Sequence, residues 1–272
     1  MRGTINCGKH LAALMFGVVF AIAAICPVLA SEEPPDLCGR WALVEVMPGI
    51  ADLPLVGHVE LTAISGLFVD VSQEGTKLLL KETYAFVDVR MTPPMVATTV
   101  PEAFVACLPS AVQTGTLQPS GAGWAFAGGA LVQVRGAHLE DPADDALPTS
   151  PDDPRLFDED GDGQPGLTVH VRLAGVVSGN TYVVQRLILA LHGSVDDANT
   201  VVGTVDWKSE ERVVAASNPL LKMSYTYGPD RASTGNVFVM RRIDASWTAQ
   251  TLRDHLPELL SVASAETVPD SP

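Results

Sequence analysis

The sequence predicts an all-β protein: an antiparallel curved sheet, closed as a barrel or folded as a sandwich, with a short C-terminal helix. Three observations predict it. Apolar and polar residues alternate with period two in run after run. Gly, Pro, Asn and Asp break these runs at short spacing, and the 23 Gly and 20 Pro are enough to supply many tight turns. Helical periodicity occurs in one place only, near the C-terminus.

The elements follow in order. Ala42, Val44 and Val46 alternate with Leu43 and Glu45, and Val59, Leu61 and Ala63 alternate with His58, Glu60 and Thr62. Leu67, Val69 and Val71 flank Asp70, and Ala85, Val87 and Val89 flank Phe86 and Asp88. Each run predicts a strand with one face buried and one face wet. Leu167, Val169, Val171 and Leu173 alternate with Thr168, His170 and Arg172, the cleanest strand in the chain. Val201, Gly203, Val205 and Trp207 follow the same rule. Tyr182 to Leu191 is apolar on both faces, which predicts a central strand or a barrel wall with something packed outside. Gln185 and Arg186 inside that run must find partners, either lining a cavity or satisfied within the wall. Gly57, Gly175 and Gly203 share a loose pattern that suits bends in a strongly coiled sheet. Leu252, Leu256, Leu259 and Leu260 share one face of a helix starting near Trp247, which Pro257 kinks or ends.

The organisation read from these elements is a signal at 1–30, a lead-in at 31–37, a β domain at 38–262 and a free tail at 263–272. Arg2 and Lys9 precede Leu11 to Ile25, an uncharged, largely apolar run of fifteen residues, and Val28-Leu29-Ala30 completes a cleavage site. Such a run is short of the roughly 20 residues a spanning helix needs. The expected location is therefore secreted or periplasmic. Losing Arg2 and Lys9 takes the formal charge from −15 to −17, a surface that repels nucleic acid and anionic lipid and attracts cations. The stretch 140–157 reads as an acidic linker between possible halves 38–139 and 155–262. From Glu140 to Gly163 there are ten acidic residues against one arginine, so this segment is solvated.

Of four cysteines, Cys7 and Cys26 fall in the signal, leaving Cys38 and Cys107. An oxidising destination makes a Cys38–Cys107 disulfide the expectation, with two buried free thiols as the alternative. The bridge would close a loop of about 70 residues and add about 4 kcal/mol by chain entropy.

Asp158-Glu159-Asp160-Gly161-Asp162-Gly163-Gln164-Pro165-Gly166 is the strongest local signal. Carboxylates at the first, third and fifth places of a loop can converge on one cation, a sixth-place Gly turns the backbone, and the seventh residue offers its carbonyl. Hard oxygen donors at this spacing suit calcium. The stretch resembles the DxDGDG start of EF-hand, dockerin and thrombospondin type 3 calcium loops. The resemblance implies Asp158, Asp160 and Asp162 as side-chain ligands, Gly163 as the turn residue and Gln164 as the carbonyl ligand. The chain departs from that pattern at Pro165 and at Val169, where the twelfth-position Glu belongs, and a strand rather than a helix follows. Asp152 or Asp153 could replace the missing Glu. The likeness is closest to the DxDGDGxPG loops of secreted bacterial proteins.

Gly39-Arg40-Trp41, opening the first strand, resembles the G-x-W start of a lipocalin barrel, although no later TDY motif follows. No GxSxG elbow, HExxH, P-loop or GxGxxG occurs, and no two histidines are spaced as a metal pair. Acidic pairs such as Glu210-Glu211 read as turns and wet edges. The leading functional expectation is a non-catalytic, secreted or periplasmic structural or binding protein with a calcium-stabilised Asp loop. Its alternatives are a lipocalin-like carrier of a small apolar ligand and a secreted hydrolase. A cavity lined by the Tyr182–Leu191 strand favours the carrier. A filled core favours the structural reading, and a cleft with facing carboxylates favours the enzyme.

Overall fold

The computed structural model describes residues 33–53, 56–92, 96–121, 123–173, 175–223 and 225–266. The expected signal at 1–30 and the last six residues of the tail lie outside them. Residues 34–272 form one compact unit.

The alternating runs form β1 (Gly39–Leu53), β2 (Gly57–Glu74), β3 (Lys77–Thr92) and β4 (Val96–Thr99), then a short helix α1 (Glu102–Cys107). There follow β5 (Ala111–Ser120), β6 (Gly123–Gly128), β7 (Leu131–Arg135), β8 (Leu167–Leu173), β9 (Val177–Asp197), β10 (Thr200–Ala216), β11 (Thr226–Pro229) and β12 (Val237–Arg242). Helices α2 (Ala249–Asp254) and α3 (Leu256–Glu266) end the described chain.

All pairings between these strands are antiparallel. In the order β1, β2, β3, β5, β6, β9, β10, β12, each strand pairs with the next, and β12 pairs back onto β1. The result is a closed eight-membered ring, in which each ring strand is paired on both sides over part of its length. Strands from both sides of the acidic stretch close one ring, β6 pairing with β9 and β12 with β1, so 140–157 joins no separate bodies. That stretch instead lies on the outer wall, where Leu147 and Ala137 pack on Val184 and Val214. This explains why β9 is apolar on both faces: one face fills the barrel and the other is covered.

The same argument applies to β1, which is covered on both sides. Trp41, Leu43 and Met47 point inward. Ala42 and Val44 lie outward beneath Leu252, Leu256, Leu259 and Ala263 of the C-terminal helices. The Thr248 side chain caps α2 by accepting from the Thr251 N–H at 3.2 Å. The helix breaks at His255, just before Pro257, as the proline requires. Helix α3 then runs on to Glu266 with Ala263 buried, so residues 263–266 of the expected free tail are helical.

The ring has two unlike ends. Near Gly39 the interior is filled by Trp41, Leu43, Leu67, Leu80, Leu189, Leu191 and Phe238. Leu37 of the lead-in closes this end, its N–H bonded to Gln73 Oε1 at 2.8 Å. Trp41 is fully buried, and its indole N–H donates to Leu37 O at 2.9 Å. The Arg242 guanidinium lies 4.5 Å from the centre of the Trp41 ring. Towards Leu53 the wall changes composition. There β11 replaces β12 beside β1, and β8 with β4 stand beside β9 in place of β6.

Two expectations need correction. Cys38 and Cys107 are free and exposed, not bridged. Trp41 pairs with Val69, Val69 with Glu82 and Glu82 with Ala111. The two cysteines therefore belong to segments three strand spacings apart, about 14 Å at ~4.8 Å each. A disulfide needs Cα atoms closer than about 7 Å. Of the three glycines read as bends, Gly57 and Gly175 have φ of 85° and 71° at hairpin turns. Only Gly203 lies inside a strand, where a Cβ would stand 2.1 Å from His192 O, so it permits a close backbone approach.

Candidate ligand cavity and Asp loop

The inward residues of the Leu53 end, large and small, leave a cavity of about 190 Å³. Val59, Leu61 and Ala63 of β2, Val87 and Val89 of β3, Val169 and Val171 of β8, and Val183 and Leu187 of β9 contribute to its lining. Phe104 of α1 closes one side. Leu221, in a single 3-10 turn at Pro219–Leu221, packs over the far end with Val59, Val96 and Leu173.

A polar layer separates this cavity from the filled end. Its centre is Arg135, the last residue of β7. Arg135 donates to Gln185 Oε1 at 2.9 Å, to Gln133 Oε1 at 2.8 Å and to the Tyr84 hydroxyl at 2.9 Å. The Tyr84 hydroxyl in turn donates to Gln133 Oε1 at 3.0 Å. Thus Gln185 lines the cavity, whereas its neighbour Arg186 points out to Glu210 at 3.2 Å and to Asp145 O. These bonds bridge an interruption in the wall. Strand β7 pairs with β9 along one edge, and no strand among the described residues pairs with its other edge, which faces β3. A second hollow opens outside this interruption, between Leu108–Val112 and β7, and Tyr84 and Arg135 line both spaces.

Acidic groups surround the same layer. Glu45 is 1% exposed and Glu82 2% exposed, both inside the ring. Burial pushes the Glu45 carboxyl up to about 7, against the pull of Arg135. Burial, with repulsion from Glu45, pushes Glu82 up to about 8. Glu211 of β10 lines the cavity, accepts a hydrogen bond from the Tyr225 hydroxyl, and is also shifted upward by burial. Period-two patterning assigned Glu45 and Glu211 to wet faces. Both faces of β1 are covered, and the polar face of β10 at Glu211 is the barrel interior, so the assignment fails there. Arg135 ends Leu131-Val132-Gln133-Val134-Arg135, where the same alternation gives no hint that the polar face is inside.

The Asp loop does converge. Asp158, Asp160 and Asp162 each offer an oxygen within 4.8 Å of the others, an exposed triad that could hold a metal ion. Asp158 Oδ1 accepts from the Gly161 N–H at 2.8 Å, and Oδ2 from the Gly163 N–H at 2.8 Å. Gly161 and Gly163 have φ of 73° and 82°, a left-handed turn that glycine allows. Asp160 accepts from the Thr168 N–H at 2.8 Å and Asp162 from the Thr168 hydroxyl at 2.6 Å, so the loop ties directly to β8. Asp160 Oδ1 is buried without a hydrogen-bond partner, and burial with repulsion from Asp162 and Asp158 raises its carboxyl. Gln164 is exposed, and its backbone N–H donates to Asp162 Oδ1 at 2.9 Å. Asp153 does not replace the missing glutamate. It is held by Arg155 at 2.8 Å, and that pairing lowers its carboxyl to about 2. Asp152 is not part of the converging group either.

Comparison with protein-family models, with curated proteins and with solved structures finds no match. The reading of function therefore rests on the barrel and its cavity.

Proposed function

We propose that the chain is a non-catalytic carrier that holds a small, mainly apolar ligand inside its barrel, in the manner of a lipocalin. The cavity carries this reading. It is lined by Thr181, Val183, Gln185 and Leu187 of β9, in a barrel that is otherwise filled. A concave, largely apolar space with a few converging polar groups is the usual form of a small-molecule site. The ring order, the Gly39-Arg40-Trp41 opening and a C-terminal helix packed outside support the lipocalin comparison. The signal-like segment 1–30 fits export to a secreted or periplasmic location. Of the carboxylates in the polar layer, the cavity lining includes Glu211 and neither Glu45 nor Glu82. This lining gives less support to a hydrolase built on two facing carboxylates than to a carrier.

The test is titration with an environment-sensitive apolar dye, read beside the fluorescence of Trp207, whose indole lines the cavity. Saturable binding by the wild type, lost in Ala63→Leu, supports the carrier. Binding unchanged by that substitution places the dye elsewhere and removes the reading.

The Asp triad supports a second reading of one part of the molecule, that calcium clamps the loop leading into β8. The unpartnered Asp160 Oδ1 favours it. Thermal unfolding with EDTA and with millimolar calcium, beside an Asp160→Ala/Asp162→Ala variant, decides it. A calcium-dependent rise that the variant loses is the expected result, and equal midpoints remove the ion.

A further inference from the structure

Arg135 sets a condition on the ligand. The side chain is buried, with the whole residue 7% exposed. Its hydrogen bonds all go to neutral acceptors, on Gln185, Gln133 and Tyr84. Among the described residues no carboxylate oxygen lies within 4.0 Å of it. Among the described residues these bonds engage three of the guanidinium's five N–H donors. Buried charges are normally paired, because an unpaired one forfeits its hydration. Glu45, Glu159 and Glu211 all feel its charge, but none lies within ion-pair distance. Glu211 is engaged by Tyr225, Glu159 accepts from the Gly136 N–H, and Glu45 and Glu82 lie behind the cavity lining, with burial favouring their neutral forms.

Beyond Arg135 the walls are mainly apolar, from Leu61 and Val89 to Val171 and Leu173, with Thr98 and Thr181 also in the lining. The space therefore has one polar end, where Arg135 stands with Gln185 and Glu211, and one mainly apolar end. An engineered cavity of about 150 Å³ accommodates benzene, which scales the 190 Å³ here to a ligand of about eight non-hydrogen atoms.

We propose that the ligand is an amphipathic monocarboxylic acid of this size, its carboxylate paired with Arg135 and its chain lying among Leu61, Val89, Val171 and Leu173. Arginine matches a planar carboxylate through two parallel N–H bonds. A phosphate ester, with up to two charges, finds no second cation in the cavity lining. The proposal rests on the interior-binding reading above and narrows it.

The test uses hexanoic acid, 1-hexanol and hexylamine, which share one chain and differ in the head. Each is titrated into the full chain and into Arg135→Gln, at about pH 6.5, where a free carboxyl is ionised. The readouts are calorimetry and Trp207 fluorescence. The expected order is acid, then alcohol, then amine, with the acid at least about tenfold tighter than the alcohol, a modest yield for a buried charge-assisted pair. Arg135→Gln should bring acid and alcohol level and leave alcohol binding in place. If the alcohol equals or exceeds the acid on the wild type, the carboxylate proposal fails while the cavity reading stands. If none of the three binds, both fall. Should Arg135→Gln not fold, discrimination between acid and alcohol by the wild type decides alone.

Discussion

The Gly39 end and the Leu53 end of the barrel are built on the same long strands, and their inward positions are apolar in the same alternating register. They differ in how completely the side chains placed there meet across the bore. The filled end carries Trp41, Leu43, Leu67, Leu80 and Phe238. The other end mixes large residues such as Leu61, Trp207 and Tyr227 with Ala51, Val59, Ala63, Val87, Val89 and Val171. A ring of constant strand number has a roughly constant bore, so the distribution of side-chain volume decides whether it fills. The difference teaches that small residues at some inward positions can leave a cavity while the hydrophobic pattern of the strands stays the same.

The largest way to break this comparison is to cut the same residue at each end. Leu43→Ala opens a void in a tightly filled region and should cost about 3–5 kcal/mol in denaturant unfolding. Leu61→Ala borders space that already exists and should cost about 1–2 kcal/mol, close to the transfer contribution alone. Equal costs would mean that the Leu53 end is as tightly filled as the other.

The polar layer between the ends gives the next effect. Glu45 and Glu82 titrate near 4.5 when unfolded but are held up to about 7 and about 8 in the folded barrel. Between these limits the folded state binds more protons than the unfolded state, so stability falls as pH rises from about 4.5 to about 7 for Glu45 and to about 8 for Glu82, and levels off above. Each group contributes a loss of about 1.4 kcal/mol per pH unit within its window. The loss should be largely abolished by Glu45→Gln with Glu82→Gln. A pH-independent unfolding midpoint in the wild type would show that the two acids are solvated.

A smaller effect belongs to the loop that ties into the cavity wall through Thr168. With a dissociation constant on the order of 10⁻⁴ M, millimolar calcium should add about 1.4 kcal/mol, visible as a rise in the thermal midpoint that Asp160→Ala/Asp162→Ala removes. The smallest is Ala63→Leu. It should shift stability by less than about 1 kcal/mol, because the added atoms enter empty space, while abolishing dye binding. A large destabilisation would show that this space is already filled.

Much of this architecture is legible in the residues. The two-sided apolar run at Tyr182–Leu191 announces a covered wall, and Pro257 marks the break between α2 and α3. The Asp triad is legible because its members are neighbours in sequence. The cavity is not, since Leu and Val alternate identically in a filled and in an unfilled barrel. Arg135, Glu45 and Glu211 escape for a related reason. Period two says that two faces differ but not which face is inside, and a helix or an acidic stretch laid on the outer wall turns the polar face inward. The Cys38–Cys107 pairing fails because an export signal argues for oxidation but says nothing about the distance between two strands.

The interruption beside β7 has a kinetic consequence. Around most of the ring, making an opening means breaking ladder hydrogen bonds in concert, a local unfolding event on the scale of microseconds or longer. Between β7 and β3 the wall is closed by the side chains of Tyr84, Gln133 and Arg135. Their rotation exchanges a few side-chain hydrogen bonds and leaves the backbone ladder whole. For the proposed ligand, passage between the interior and the outer hollow would be uncoupled from the stability of the sheet, so a rigid barrel could still exchange its contents quickly.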